Sequence, residues 1–168
     1  YEVTLVHGTS WDSARTASLA KGSGWDLASI TSQAEQDFII TLLPGSPFHR
    51  EQLWLGGHDS GTEDVWEWSN GDAFSYTNWW NGEPNDHGGE DYLTMDYRQS
   101  GFFHHHSGEW KWNDLSGGSH YVVKGYVSEF SNAIPEPSTG LLVASGLIGL
   151  GLKRQQHLNQ LAASLQEP

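Results

Sequence analysis

Between Asn81 and Asp91 the chain crowds four carboxylates, Glu83, Asp86, Glu90 and Asp91, and two side-chain amides, Asn81 and Asn85, into a stretch with three glycines. Acids this close repel one another, so the stretch is either a solvated tip or a seat for a multivalent cation. Hard oxygen donors on a pliable loop suit calcium, which accepts roughly six to eight oxygens in loose geometry. A second oxygen pair, Asn113-Asp114 behind the apolar anchor Trp112, could close the coordination shell from a neighbouring strand. The same acids could do other chemistry: Glu83 and Glu90 have the residue types of a glycosidase's carboxylate pair. Pro84-Asn85 and Asn113-Asp114 beside them favour metal ligation instead, and a metal-bound carboxylate is a poor proton donor. The chain therefore reads as a binding protein rather than an enzyme. His104-His105-His106 offers imidazole to a transition metal, but three consecutive side chains of an extended strand cannot converge, which favours a loop tip.

The elements that must position these residues follow from periodicity and punctuation. Tyr1 to Val6 alternates like a strand, as expected of a chain that begins after a removed leader. Ser10 can cap a helix carrying Trp11, Ala14 and Leu19 until Gly22 and Gly24 stop it. Leu27 to Ile30 is short and apolar. Ser32 with Glu35 forms a capping box for a second helix with Phe38, Ile39, Leu42 and Leu43, ended by Pro44. Strands are expected at Leu53 to Gly57, Val65 to Trp68, Tyr92 to Tyr97, Lys111 to Leu115 and Tyr121 to Phe130, with an Asn70-Gly71 turn. Two helices followed by mostly antiparallel strands predict an α+β fold. Trp54, Trp66, Trp68 and Trp112 are expected in its core.

With 168 residues, the chain has room for one domain and a tail. Its formal charge of -13, from 21 acids against 8 Lys and Arg, argues against a nucleic-acid partner and fits cation binding. No cysteine is present, so thiolate metal sites and disulfides are excluded. At Ser131 the composition changes, and a linker, residues 132–140, follows that contains Pro135-Glu136-Pro137. An apolar run from Leu141 to Leu152 and the basic pair Lys153-Arg154 follow within residues 141–157, and residues 158–168 form a tail. That run spans only about 20 Å as a helix, short of a hydrocarbon core, so transient membrane insertion is expected rather than a durable anchor.

Taken in order, Trp11-Asp12-Ser13-Ala14, Leu27-Ala28-Ser29-Ile30, the helix from Ser32 to Leu43, Leu53-Trp54-Leu55-Gly56, Glu83-Pro84-Asn85 and Trp112-Asn113-Asp114 resemble the C-type lectin-like domain over residues 1–131. The resemblance implies a principal calcium held by Glu83, Asn85, Glu90, Asn113 and Asp114, with the sugar giving two vicinal hydroxyls to the same ion. A cis bond before Pro84 would turn Glu83 and Asn85 to one side. Glu-Pro-Asn implies equatorial hydroxyls, as in mannose, glucose and N-acetylglucosamine, where Gln-Pro-Asp implies galactose. An auxiliary calcium is implied at Asp59, Glu63, Asp86 and Asp91. Trp79 and Trp80 could stack on the sugar, with at least one of them packed inside. Ser18, Tyr92, Gly117 and Ser128 stand where the family would place disulfide cysteines. A protein- or surface-binding module for adhesion is the rival function on the same fold.

The tail from Pro135 to Arg154 resembles the PEP-CTERM sorting signal of bacterial exported proteins. That resemblance implies a membrane sorting transpeptidase as partner and a final place at the envelope surface or extracellular matrix of a Gram-negative-type bacterium.

Overall fold

The structure is a computed structural model that describes residues 1–43, 51–98 and 108–131. His104 to His106 and the C-terminal signal lie outside them. The described chain runs β1 (Glu2–Leu5), α1 (Trp11–Leu19), β2 (Trp25–Leu27), α2 (Gln33–Leu42), β3 (Gln52–His58), β4 (Glu67–Trp68), β5 (Tyr92–Arg98), β6 (Glu109–Leu115) and β7 (Val123–Phe130). The strands form one sheet in the order β1-β7-β3-β5-β6, with β2 added to β7 and β4 to β3. Every strand pairing is antiparallel except β3 with β7, which is parallel, so the sheet is mixed and mostly antiparallel, as the sequence suggested. Two helices against this sheet make the α+β fold.

Both helices start where their caps dictate. Ser10 Oγ accepts the Ser13 N–H at 3.2 Å, and Ser32 Oγ accepts the Glu35 N–H at 3.3 Å. Glu35 departs from a standard capping box, because its carboxylate bonds the N–H and hydroxyl of Thr31 at 2.7 and 2.8 Å, one residue before the cap. Helix α2 turns Ile39 and Gln36 inward and leaves Phe38 and Leu42 exposed, contrary to the apolar stripe expected. Gln36 is buried for a reason: its amide accepts the indole N–H of Trp112 at 3.0 Å and donates to the Trp110 carbonyl at 3.3 Å. Val65 and Trp66 fall outside the short β4, and Trp66 packs half-buried on the core.

Alternation along β3 divides the core. Leu53 and Leu55 join Ile30, Ile39, Leu93, Met95 and Trp112, while Trp54 joins Trp11, Ala14, Leu27 and Val123 beside α1. Indoles are tied down inside: Trp11 Nε1 donates to the Leu55 carbonyl and Trp54 Nε1 to the Thr9 carbonyl, each at 2.8 Å. The positions where the resemblance would place cysteines meet in pairs. Ser18 and Ser128 are fully buried with their hydroxyls 2.8 Å apart. A Cβ at Gly117 would fall 2.5 Å from Tyr92 Cε2, so the tyrosine ring fills the room a second side chain would need.

Candidate functional site

The loop from Asn78 to Asp91 is moored to β6 at its start. Trp112 N–H donates to the Asn78 carbonyl at 2.8 Å, and Trp80 N–H to the Trp112 carbonyl at 2.9 Å. Trp79 meets Trp112 edge-on with ring centroids 5.6 Å apart, packing toward the core. The Trp80 ring instead lies against two cations, with Arg98 Cζ 5.3 Å and Lys111 Nζ 5.0 Å from its centroid. Neither tryptophan lines the cleft described below, so sugar stacking on them finds no geometric support here.

Beyond this mooring the Glu83-Pro84 bond is cis. Glu83 Oε2 accepts a short hydrogen bond from the Asn85 amide, so the two side chains do lie together. Asp114 fastens the loop from below: its Oδ2 accepts the backbone N–H of Asn85 at 2.8 Å and of Asp86 at 2.7 Å. The other oxygen, Asp114 Oδ1, is buried and has no hydrogen-bond partner among the described residues. Asp86 takes a positive φ of 44°, and its carboxylate accepts the Glu90 N–H at 2.9 Å, which curls the acidic tip back on itself. Glu83, Asn85, Glu90 and Asn113 line an open cleft of about 730 Å³, together with Arg98 and His120.

Three of the four auxiliary candidates also gather. Carboxylate oxygens of Glu63, Asp86 and Asp91 all lie within 4.8 Å of one another, the kind of group that could hold a metal ion. Asp59 sits behind them, buried, with Oδ2 accepting the Asp64 N–H at 3.1 Å and Oδ1 without a partner among the described residues. Glu83, Glu90 and Asp114 are not drawn so close together.

Electrostatics follow from this crowding. Burial pushes the carboxyls of Asp114, Asp59 and Glu90 above the usual range, and the charge of Asp114 adds to the shift of Glu90. For Glu63, which is exposed, the charge of Asp86 is the first cause of an upward shift. Two buried acid oxygens without partners among the described residues, amid hard donors whose charged forms are disfavoured by burial and like charge, suit a divalent cation with oxygen preference. On that test the residues fit calcium.

Sequence reasoning missed Arg98. Its Nη2 donates to Glu83 Oε1 at 3.0 Å and to Asn113 Oδ1 at 2.6 Å, and its Nε to Asp96 Oδ2 at 2.5 Å. The available signal was Asp96-x-Arg98, two residues apart at the end of β5 and hence on one face of it.

Comparison with known proteins places this arrangement in a class first through its fold. The bovine CD23 carbohydrate-recognition domain, solved in the presence of a GlcNAc2Man3 oligosaccharide, superposes with a TM-score of 0.57 at 29% identity, covering 78% of this chain and 88% of that one. The family model for the lectin C-type domain matches residues 8–123, and the chain belongs to that family. Ladderlectin of Oncorhynchus mykiss is 32% identical over 113 residues, 67% of this chain and 54% of that protein. The galactose-specific lectin nattectin of Thalassophryne nattereri is 39% identical over 77 residues, 46% of this chain and 47% of that protein. The chain thus spans about half the length of these two relatives. Residues 133–155 match the PEP-CTERM protein-sorting motif. Among the described residues, no helix is long and apolar enough to cross a membrane.

Proposed function

We propose that residues 1–131 form a calcium-dependent sugar-binding module, with Glu83, Asn85, Glu90, Asn113 and Asp114 as the residues that would hold the ion. The observation that carries this is Asp114 Oδ1, a buried acid oxygen with no partner among the described residues, beside the loop that its other oxygen fastens. Calcium would supply a charge that tolerates loose oxygen geometry and exchanges water for two sugar hydroxyls. The chain's own part is to orient that exchange. Glu83 can only accept hydrogen bonds whereas the Asn85 amide also donates, so the pair imposes a polarity on a bound diol. Glu83-Pro84-Asn85 favours equatorial vicinal hydroxyls of the mannose, glucose and N-acetylglucosamine type. Asp59, Glu63, Asp86 and Asp91 would hold a second ion that stiffens the tip.

Sugar retention on resin tests this directly. The protein should stay on mannose or N-acetylglucosamine resin in calcium and leave with chelator; equal retention in both conditions excludes the proposal. A galactose resin belongs in the same experiment because nattectin, a relative, is galactose-specific. Per-site affinity should be weak, about millimolar or roughly -4 kcal/mol, so useful avidity calls for clustering.

The sorting-motif match at residues 133–155 supports export. In this proposal a membrane transpeptidase cuts near Pro135-Glu136-Pro137 after residues 141–152 insert transiently, leaving the lectin domain at the outer surface or matrix of a Gram-negative-type bacterium. Residues 132–140 then serve as the linker, 141–157 as the sorting segment and 158–168 as the tail. Mass spectrometry of the envelope form should find a terminus within Ile134 to Ser138, and an intact Pro168 there would refute processing.

A further inference from the structure

We propose that Arg98 is a tethered cation that holds two ligands of the principal site, Glu83 and Asn113, and that calcium binds by displacing it. The proposal rests on the calcium assignment above. One guanidinium nitrogen spans Glu83 Oε1 and Asn113 Oδ1, at 3.0 and 2.6 Å, which come from the loop and from β6 and are otherwise separate in the chain. The site therefore carries a positive charge of its own where its acids would repel one another. Both protein oxygens so engaged are ones an ion would need, and the Glu83 oxygen is one a sugar hydroxyl would need. A guanidinium and a divalent ion cannot share those oxygens without two positive charges in contact.

The tether makes the exchange local. Arg98 Nε is held by the buried carboxylate of Asp96 at 2.5 Å, and the guanidinium lies on the face of Trp80. Released from Glu83 and Asn113, the head still has a charge partner and an aromatic face, so displacement needs a small swing of the side chain and no unfolding of β5. Lys111 provides the internal control. It sits on the same indole, 5.0 Å from the centroid, but its ion pair is with Glu109 at 2.9 Å, and no bond joins it to the proposed ligands among the described residues.

Calorimetric titration of the full chain with calcium chloride, together with melting in chelator, tests the idea. Arg98→Gln should bind calcium at least about tenfold more tightly, equivalent to about 1.4 kcal/mol, and should melt lower than the parent in chelator. Lys111→Gln should change calcium affinity by less than about twofold, since it removes the same charge without freeing a ligand. Arg98→Lys, which keeps charge but loses the planar fork, should fall between parent and Arg98→Gln and serves if the glutamine variant folds poorly. Weaker or unchanged calcium binding in Arg98→Gln overturns the proposal, because a supporting arginine gives that sign. So does an equal gain in Lys111→Gln, which would make the effect one of net charge. Should the parent bind no calcium while Arg98→Gln does, Arg98 is confirmed as the occupant and the calcium-dependent function of the natural chain fails. Absence of binding in both overturns both.

Discussion

At Asp114 one carboxylate oxygen holds the loop backbone, and the other is the one proposed for an ion. Asp114→Asn keeps an acceptor for the Asn85 and Asp86 amides but removes the charge, so calcium affinity should fall at least about tenfold, about 1.4 kcal/mol. Melting in chelator should be unchanged or higher, since burial already penalises the charged form. Asp114→Ala leaves both amides without their acceptor and should cost about 1 to 3 kcal/mol of stability even in chelator. Equal chelator melting for the two variants would show that the loop does not depend on this oxygen. Asp114 was legible as a candidate ligand because a carboxylate after Trp112-Asn113 announces itself by residue type. Its clamp on the loop was not, since backbone amides leave no trace in composition. Arg98 was illegible as part of the site for a different reason: Asp96 is its neighbour on β5, but Glu83 and Asn113 come from the loop and from β6, and only the fold brings them to one side chain.

Helices and sheet divide by the same logic. Serine caps act over three residues, so both helix starts could be read from sequence; β3 beside β7 in parallel is a contact between distant segments, and local alternation says nothing of strand order or direction. Helix α2 shows the limit of apolar pattern, because a glutamine took the buried position to satisfy an indole that β6 supplies. The Ser18 and Ser128 pair ties α1 to β7 without a covalent bond. Replacing both with cysteine should yield a disulfide closing a loop of about 110 residues, worth roughly 4 to 5 kcal/mol in the chain-entropy model. Thiol titration and a higher melting temperature, reversed by reductant, would check it. A bond that forms but lowers the melting temperature would show that the native spacing does not suit a disulfide.

For the molecule as a whole, pH and calcium should act against each other. Burial pushes Asp59, Glu90 and Asp114 above their ordinary values, so at these groups the folded state holds protons more tightly than the unfolded one. That contribution is fully present below the unfolded carboxylate pKa, about 4, and is lost as pH rises through the raised values. Buried Glu129 has the same sign, while His58, pushed down by burial, loses stability as pH falls through its ordinary range. In chelator, melting temperature should therefore drop as pH is raised from the carboxylate range toward neutrality. Saturating calcium, which needs ionised ligands, should reverse the trend and at a hundredfold excess over Kd add about 2.7 kcal/mol. A calcium increment that does not grow with pH would separate the ion from these acids.

The strand order has a practical corollary for anyone wishing to array this domain. Glu2 pairs with Ser128 in β1 and β7, so the first and last strands of the domain share one side of the sheet, while Asn113 and Asp114 belong to β6 on the opposite margin. A bead, sensor chip or scaffold coupled through the first strand, β1, would grip the margin away from β6. Copies immobilised that way would leave the β6 margin free and could be packed densely, which is the format the proposed weak sugar binding would require.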